Sequence, residues 1–298
     1  MVKVLVIGAA GFLGKHLVRD FSKANTVFGA DKYTDRKGLH YLDLAKKESV
    51  KEAFLRFKPE LVLLPASVTG VDFCEQNQDL AWAVNTEGPK EVAVAAKRQG
   101  VFLVFYSTDY IFDGAKGPYS EEDRPSPINF YGKTKLEAEK IIQKELNSFL
   151  IIRTCGLYGY EKDGLNYAMQ VYLALKEKRI VRAVCDQYGT PTYVEDLSAA
   201  TLRLVKSKKE GVFNVAGPDC VNRVQLSREL ADVFGFNKRL IQEARTEELK
   251  QAAERPKKGG LRIDKLSLEA GIKTMTLREG LVAMKEIYRC HSCESRNP

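Results

Sequence analysis

The sequence predicts an α/β fold, a doubly wound parallel sheet joined to a smaller, discontinuous α/β domain. Three observations carry that prediction. Strand-like and helix-like segments alternate through the first half of the 298 residues, the strand-like runs are apolar almost without interruption, and a glycine-rich turn closes the first of them. Strands separated by helices form βαβ units with parallel strands. Continuous apolar runs are what such strands need when helices cover both faces of the sheet.

The strand-like runs are Val2–Ile7, Thr26–Ala30, Leu61–Leu64, Val101–Tyr106 and Phe149–Ile152. Between them, Phe12, Leu13, Leu17, Val18 and Phe21 recur at helical spacing, and helical patterns follow around Ser49–Phe57, at Leu80–Arg98 and at Lys135–Leu146. After about residue 154 the rhythm changes. Gly and Tyr cluster over Gly156–Gly164, a helix is expected at about Asn166–Lys176 and a strand at Ile180–Val184. The helix Tyr193–Val205 and the strand Val212–Val215 are expected to rejoin the sheet, and the remainder from Gly217 reads as helices with basic loops. The expected sheet domain is therefore 1–154, rejoined by about 186–215. The smaller domain takes 155–185 and 216–289, and 290–298 form a tail. No internal repeat interrupts this plan.

Composition narrows the function classes. A hydrophobic fraction of 44% with 29% charged residues is ordinary for a soluble globular protein. No apolar run approaches the ~18 residues that cross a bilayer. MVKVLVIGAAG enters a strand at once, with no charged region, apolar stretch and cleavage site before it. A cytoplasmic protein with no membrane partner is expected. The net charge of +8 raises the question of nucleic acid. Lys and Arg are interleaved with acids, as in LREGLVAMKEIYR, rather than gathered in a basic stripe, so nucleic acid is not an expected partner. A positive balance suits an anionic, phosphate-bearing small molecule instead. Of six cysteines, most stand alone in apolar stretches, where a free thiol is usually a small buried hydrophobe. Cys290 and Cys293 flank His291, but one CxxC in a short polar tail is half a zinc site, and no metal is expected there.

Gly8, Gly11 and Gly14 form GAAGFLG directly after the first strand and open the first helix. Glycines there permit a tight turn and let backbone N–H groups approach a pyrophosphate at the helix N-terminus. Asp31 ends the second strand, about 20 residues beyond the central glycine, where an acid can accept the adenosine ribose hydroxyls. The arrangement is that of a Rossmann-type dinucleotide-binding domain, with NADPH or NADH as cofactor. Asp31 favours NADH, while Lys32 and Arg36 nearby soften that preference. Asp43, after the apolar pair Tyr41–Leu42, is placed to meet the adenine amine.

Tyr131 and Lys135 stand four apart in NFYGKTKLEAEK, on one face of a helix. Tyrosine titrates near ~10 in water, so acting at neutral pH asks for a fall of about 3 units. A neighbouring ammonium, an oxidised nicotinamide and partial desolvation are expected to supply it. Tyr131 would then donate a proton to a carbonyl oxygen as hydride reaches the carbon, and Lys135 would hold the nicotinamide ribose. The run STDYIFDG, Ser107–Gly114, follows the fourth strand, so Thr108 sits where ligands bind in such sheets.

With these residues assembled, the sequence resembles the extended short-chain dehydrogenases, and within them the dTDP-4-dehydrorhamnose reductase branch. GAAGFLG, STDYIFDG, GPYSEEDRPSPINFYGKTKLEAEK, Arg153–Gly159, DQYGTPTYVEDL and RPKKGGLRIDKL match in the family's order along nearly the whole chain. The resemblance implies Thr108, Tyr131 and Lys135 as catalytic residues. It implies Gly8, Gly11, Phe12, Leu13, Gly14, Asp31, Asp43, Leu44, Ala66 and Asn85 around the cofactor, with Tyr131 and Lys135. It implies Thr69, Thr108, Asp109, Tyr110, Gln187 and Arg255 toward the substrate, and reduction of the C4 ketone of a nucleotide-linked sugar, the last step of dTDP-L-rhamnose formation. Arg255, with Lys257 and Lys258, is a candidate diphosphate clamp. One departure stands out: Gly156 occupies a position where these reductases commonly carry tryptophan, leaving Tyr158 or Tyr160 as candidate substitutes. The lone Trp82 lies elsewhere.

Two alternatives stay open at this point. One is a non-catalytic cofactor-binding subunit like the regulatory subunit of methionine adenosyltransferase, which has a similar STDY run and YGKTKL. The other is an NAD-dependent epimerase or dehydratase, although the acidic pair of dehydratases is incomplete where Asp109 is followed by Tyr110. Glu121, Glu122 and Asp123 are compatible with a divalent ion such as Mg2+, but their spacing selects no metal. A homodimer is a candidate assembly.

Overall fold

A computed structural model describes residues 1–34, 38–162 and 166–294, with side chains to Arg289. Arg36 and the segment 295–298 lie outside the described residues, as do the side chains of Cys290, His291 and Cys293.

The first strand, β1 (Lys3–Ile7), leads through the glycine turn into α1 (Phe12–Phe21), and the chain continues to β2 (Thr26–Asp31) and β3 (His40–Tyr41). After α2 (Lys47–Phe57) and β4 (Leu61–Leu64) come the short helices α3 (Val71–Gln76) and α4 (Gln78–Trp82). A π-helical turn at Ala83–Glu87 then joins α5 (Gly88–Gln99). The sequence predicts one helix from Leu80 to Arg98. The structure divides it at that π turn, a feature that recurs at functional sites. β5 (Phe102–Thr108), α6 (Phe130–Glu145) and β6 (Phe149–Thr154) complete this half.

Beyond β6 lie α7 (Tyr167–Lys176), β7 (Val181–Val184), β8 (Tyr188–Gly189), α8 (Val194–Lys206) and β9 (Gly211–Asn214). The chain ends with β10 (Val221–Asn222), α9 (Arg223–Phe234), β11 (Ile241–Ala244), α10 (Asp264–Ala270) and α11 (Leu277–Glu294). The main sheet is parallel throughout in the order β3-β2-β1-β4-β5-β6-β9. The order reverses beside β1, and ligands bind in such sheets outside the strand C-termini at that reversal.

Alternation along the strands divides the core into two faces. Leu5, Ile7, Val62, Leu64, Leu103 and Phe105 face α2, α5 and α6. Val4, Val6, Leu61, Leu63, Val104 and Tyr106 face α1 and α8. A third core, with Met169, Tyr172, Leu226, Leu230, Leu281 and Met284, packs α7, α9 and α11 together. Two small sheets accompany it, β7 with β11 and β8 with β10.

β10 and β11 differ from the expected run of helices after Gly217. β10 is only two residues, and β11 reads Ile-Gln-Glu-Ala, so neither displays an apolar run. The last helix continues through Glu294, past the expected start of the tail. Cys74 and Cys155 are buried, whereas Cys220 is exposed. Among the described residues, no helix is long and apolar enough to cross a membrane.

Candidate active site

The glycine turn owes its shape to close approaches. Gly8 has φ +99°, and a Cβ there would lie 2.6 Å from the backbone nitrogen of Ala66. At Gly14 a Cβ would lie 2.0 Å from the carbonyl oxygen of Gly8, so only glycine lets α1 begin this close to the turn. Gly11 is the N-cap of α1, and neither a capping side chain nor an acid in the first turn occupies the helix start. Uncapped N–H groups and the positive end of the helix dipole form a site for an anion. The donors present therefore fit a dinucleotide pyrophosphate, with Phe12 and Leu13 supplying backbone in that turn.

Asp31 accepts from Ala10 N at 3.0 Å and from Tyr33 N at 3.1 Å, tying the glycine turn to the end of β2. Its carboxylate has further lone pairs for ribose hydroxyls. Asp43 is buried and caps Ala45 N at 3.0 Å, with Lys32 Nζ 3.7 Å away. Leu44 is buried against the start of α5, where a Cβ on Gly88 would meet it at 2.8 Å. Asn85, in the π turn, uses its whole amide within the chain. Oδ1 accepts from Ser67 Oγ at 2.9 Å and Val68 N at 2.8 Å, while Nδ2 donates to Val68 O at 3.0 Å. It thereby holds the loop that follows β4.

The Thr108, Tyr131 and Lys135 group forms where β5 ends against the start of α6. Asn129 caps that helix by accepting from Gly132 N at 2.9 Å, and its Nδ2 donates to Glu254 O at 2.9 Å. Glu75 accepts from Phe130 N at 2.9 Å on the other side. Gly132 allows the helix to press on the loop after β5, because a Cβ there would lie 2.1 Å from Tyr110 O. Farther along α6, buried Glu139 pairs with buried Arg153 of β6 at 2.8 Å. Asn129, Gly132, Glu139 and Arg153 support the group, and sequence reasoning missed them. An Asn two residues before the tyrosine was the available signal for the cap.

Tyr131 is nearly buried, and Thr108 is close enough to act on its phenol. Burial pushes the phenol above its ordinary value, and neighbouring Cys74 and Asp109 push it further, while Thr108 pulls it down. This reverses the expected fall. The first reason is burial of the phenol itself, and the same burial acts on Lys135. That amine is 2% exposed, packs 4.0 Å over the Phe105 ring, and is pushed down to about 7 by loss of water. Glu139 opposes that fall. An ammonium that is itself losing its charge cannot acidify its neighbour strongly.

Asp109 turns inward. Its carboxylate accepts from Cys155 Sγ at 3.0 Å, from Gly260 N at 3.2 Å and from Thr108 Oγ1 at 3.3 Å, and burial raises its pKa. Tyr110 meets Tyr131 edge to face at 6.0 Å.

Residues 2–290 match the RmlD substrate binding domain family. The chain belongs to that family. It is similar to the dTDP-4-dehydrorhamnose reductase of Bacillus anthracis, solved in complex with NADP, with a TM-score of 0.87 and 30% identity over 95% of this chain and 98% of that one. It is 30% identical to the probable low-salt glycan biosynthesis reductase Agl14 of Haloferax volcanii, over 96% of this chain and 98% of that protein. The methionine adenosyltransferase 2 subunit beta of Xenopus tropicalis is 28% identical over 78% of this chain and 72% of its own length.

In this RmlD-family chain the other expected substrate residues have distinct surroundings. Thr69 is exposed on the loop before α3. Gln187 donates to Thr246 Oγ1 at 3.1 Å and Gln251 Oε1 at 3.3 Å. Arg255 is buried, with Nη2 3.0 Å from Asp72 and Nη1 donating to Ala253 O at 2.7 Å, while Lys257 pairs with Glu247 at 2.6 Å. A cavity of about 680 Å3 lined by Asp113, Ile128, Thr246, Gln251 and Arg255 lies on this side, and neither Tyr131 nor Lys135 lines it. The chemistry-bearing group, not this cavity, marks the candidate reaction centre.

Gly156 has φ +50°, and a Cβ there would meet Pro191 at an ordinary contact distance of 3.6 Å. Tyr158 does not replace the family's tryptophan. Its ring is fully buried, with its hydroxyl donating to Leu277 O at 3.3 Å. Tyr160 packs edge to face on Tyr288 at 5.8 Å. Glu121 and Asp123, named as cation candidates, accept from Asn214 N and from the backbone and hydroxyl of Ser120, each at 2.8 Å. Among the described residues, no group of three His, Cys, Asp or Glu is placed to hold a metal.

Proposed function

We propose that this chain reduces the C4 ketone of a nucleotide-linked deoxysugar in the cytoplasm, as a dTDP-4-dehydrorhamnose reductase, using NADPH or NADH. The observation that carries this reading is the buried Tyr131 phenol beside Thr108, on the helix that also buries Lys135. Both lie at the C-terminal edge of a sheet whose glycine turn fits a dinucleotide. Asp31 weights the cofactor choice toward NADH, and exposed Lys32 weights it toward NADPH.

When bound, the nicotinamide cofactor supplies the hydride. Thr108 orients the ketone by turning its one O–H from Asp109 to the carbonyl oxygen. Tyr131, held as the neutral phenol by burial, gives that oxygen its proton, breaking its own O–H bond as the alcohol forms. The phenolate left behind is paired by Lys135, which in its ammonium form can return the proton. Asp109, Cys155 and Tyr110 hold the loop after β5 so that Thr108 keeps its aim.

The decisive test is consumption of NADPH or NADH by the purified chain with a panel of 4-keto sugar nucleotides. Tyr131→Phe is expected to lower kcat by about 100-fold or more, with cofactor affinity nearly unchanged. Retained kcat in that variant would remove Tyr131 from the mechanism. A second reading, a cofactor-binding subunit without turnover, draws on the likeness to methionine adenosyltransferase 2 subunit beta. Cofactor binding with no turnover on any ketone in the panel, together with capture of that transferase, would favour it.

A further inference from the structure

Arg223 is the first residue of α9, directly after its N-cap Asn222, and its guanidinium lies 4.4 Å over the ring of Tyr167. That ring is held in place. Tyr167 Oη shares a 3.0 Å hydrogen bond with Ser227 Oγ, and Ser227 donates in turn to the Arg223 carbonyl at 2.7 Å. The cation opens α9 and its platform opens α7, and Ser227, one turn along α9, ties the two together.

The arginine is half-buried, yet among the described residues its guanidinium makes neither an ion pair nor a hydrogen bond. This sets it apart from the two buried arginines, Arg153 and Arg255, which pair with Glu139 and Asp72. Removing a charge from water without a partner is costly, so an unpaired half-buried guanidinium stands out.

A chain of contacts links its position to the loop after β5. Asn222 pairs with Tyr188 across β8 and β10, and the adjacent Gly189 lies so near Cys155 that a Cβ would meet Sγ at 2.9 Å. Cys155 is bonded to Asp109, the neighbour of Thr108 and Tyr110. The Arg223 charge is felt at both ends of this contact, at the Tyr110 phenol and the Cys155 thiol. It therefore lies within electrostatic reach of Tyr110 and Cys155, the residues that flank the Thr108–Asp109 corner, and belongs to the C-terminal part of the chain.

We infer that Arg223 receives the diphosphate of the nucleotide-linked substrate and selects for ketones that carry one. This deepens the reductase reading and rests on it. A guanidinium held over an aromatic ring keeps its N–H fork available to two phosphate oxygens. The start of the twelve-residue α9 adds a positive dipole end at the same place. Arg255 and Lys257, the clamp suggested by the sequence, are already engaged by Asp72 and Glu247.

The test uses the full chain saturated with NADP+ and two probes, dTDP and thymidine, titrated by calorimetry. Arg223→Met, which keeps the apolar stem on Tyr167, is expected to weaken dTDP binding about tenfold or more, the scale of lost charge-assisted hydrogen bonds. Thymidine and cofactor affinities should not move. Arg223→Lys should fall between, because its charge remains while the fork is lost. In turnover the loss should appear in KM rather than kcat.

Equal dTDP affinity in wild type and Arg223→Met would overturn the assignment. So would a loss shared equally by thymidine, which would mean a structural role, and so would a wild type that binds no dTDP. The two readings fail separately. A chain that binds dTDP through Arg223 but reduces no ketone keeps the assignment and loses the reductase. A chain that reduces the ketone with KM unchanged by Arg223→Met does the opposite.

Discussion

Gly132→Ala tests how the proton donor is positioned. Gly132 follows Tyr131 in the first turn of α6. A methyl group there would lie 2.1 Å from Tyr110 O and 3.0 Å from Pro127 Cβ. Helix propensity alone favours Ala over Gly by up to about 1 kcal/mol. Against it, the helix and the loop after β5 must part by roughly 1 Å, and the obstacle is backbone that cannot rotate away. Such overpacking costs about 1–3 kcal/mol. The steric term wins, because the Asn129 cap and the Arg153–Glu139 pair hold α6 from its other sides. The expected net loss is about 1–2 kcal/mol, or a few degrees in Tm. Activity should suffer more than stability, since Tyr131 rides on the displaced turn and Thr108 ends β5 just before the loop it leaves. A misplacement of about 1 Å is enough for a loss of roughly 100-fold. Denaturant midpoints and kcat on the same preparations check both numbers. An Ala variant as stable as its parent, with kcat within about threefold, would refute the reasoning.

The Lys135 amine falls to about 7 in the folded chain from 10.5, so between those values the unfolded chain binds more protons. Stability carried by this site must then rise with pH across that window, and the penalty is full below pH 7. Lys135→Met should stabilise the fold by a few kcal/mol at pH 6 and lose that advantage as pH approaches 10; an advantage independent of pH would show that packing, not charge, is responsible. Arg153→Met strands the buried Glu139 carboxylate and should cost about 3–5 kcal/mol, read as a shifted denaturant midpoint. If the double variant with Glu139→Gln does not recover part of that loss, the pair is not its cause. Asp31→Ala removes both the candidate ribose acceptor and the Ala10 partner, so affinity for either cofactor should weaken while the NADPH-to-NADH ratio of kcat/KM rises about tenfold. An unchanged ratio would leave Asp31 only its role in shaping the turn.

Much of the fold was legible because parallel strands and their helices write themselves in local patterns. Val2–Ile7 and Leu61–Leu64 had to be strands covered on both sides, and the glycine turn announced the strand–helix crossing. What escaped was set by tertiary contact. The break at Ala83–Glu87 was signalled only by the Gly88-Pro89 pair that follows it, and the strand Ile241–Ala244 is too short to show a period. In the site, residue types were legible and charge states were not. Arg255 looked free in the sequence because Asp72 is far from it along the chain. Arg223 looked like one more basic residue because its lack of a partner is visible only in space.

The raised pKa of Tyr131 bears on whether this group can still deliver a proton. A phenol that is hard to ionise is a weaker acid, and general-acid efficiency falls with it. The accepting oxygen, however, gains alkoxide character as hydride arrives, and an alkoxide is a far stronger base than a phenolate in the same surroundings. Transfer therefore remains downhill from the buried phenol. Burial also keeps Tyr131 protonated at every physiological pH, so the donor never needs recharging before the ketone binds. What burial weakens is the ion pair after transfer, because Lys135 is charged in only part of the population near neutrality. Pairing the phenolate would then draw Lys135 back to its ammonium form, which couples the two groups through one proton and makes them titrate as a unit.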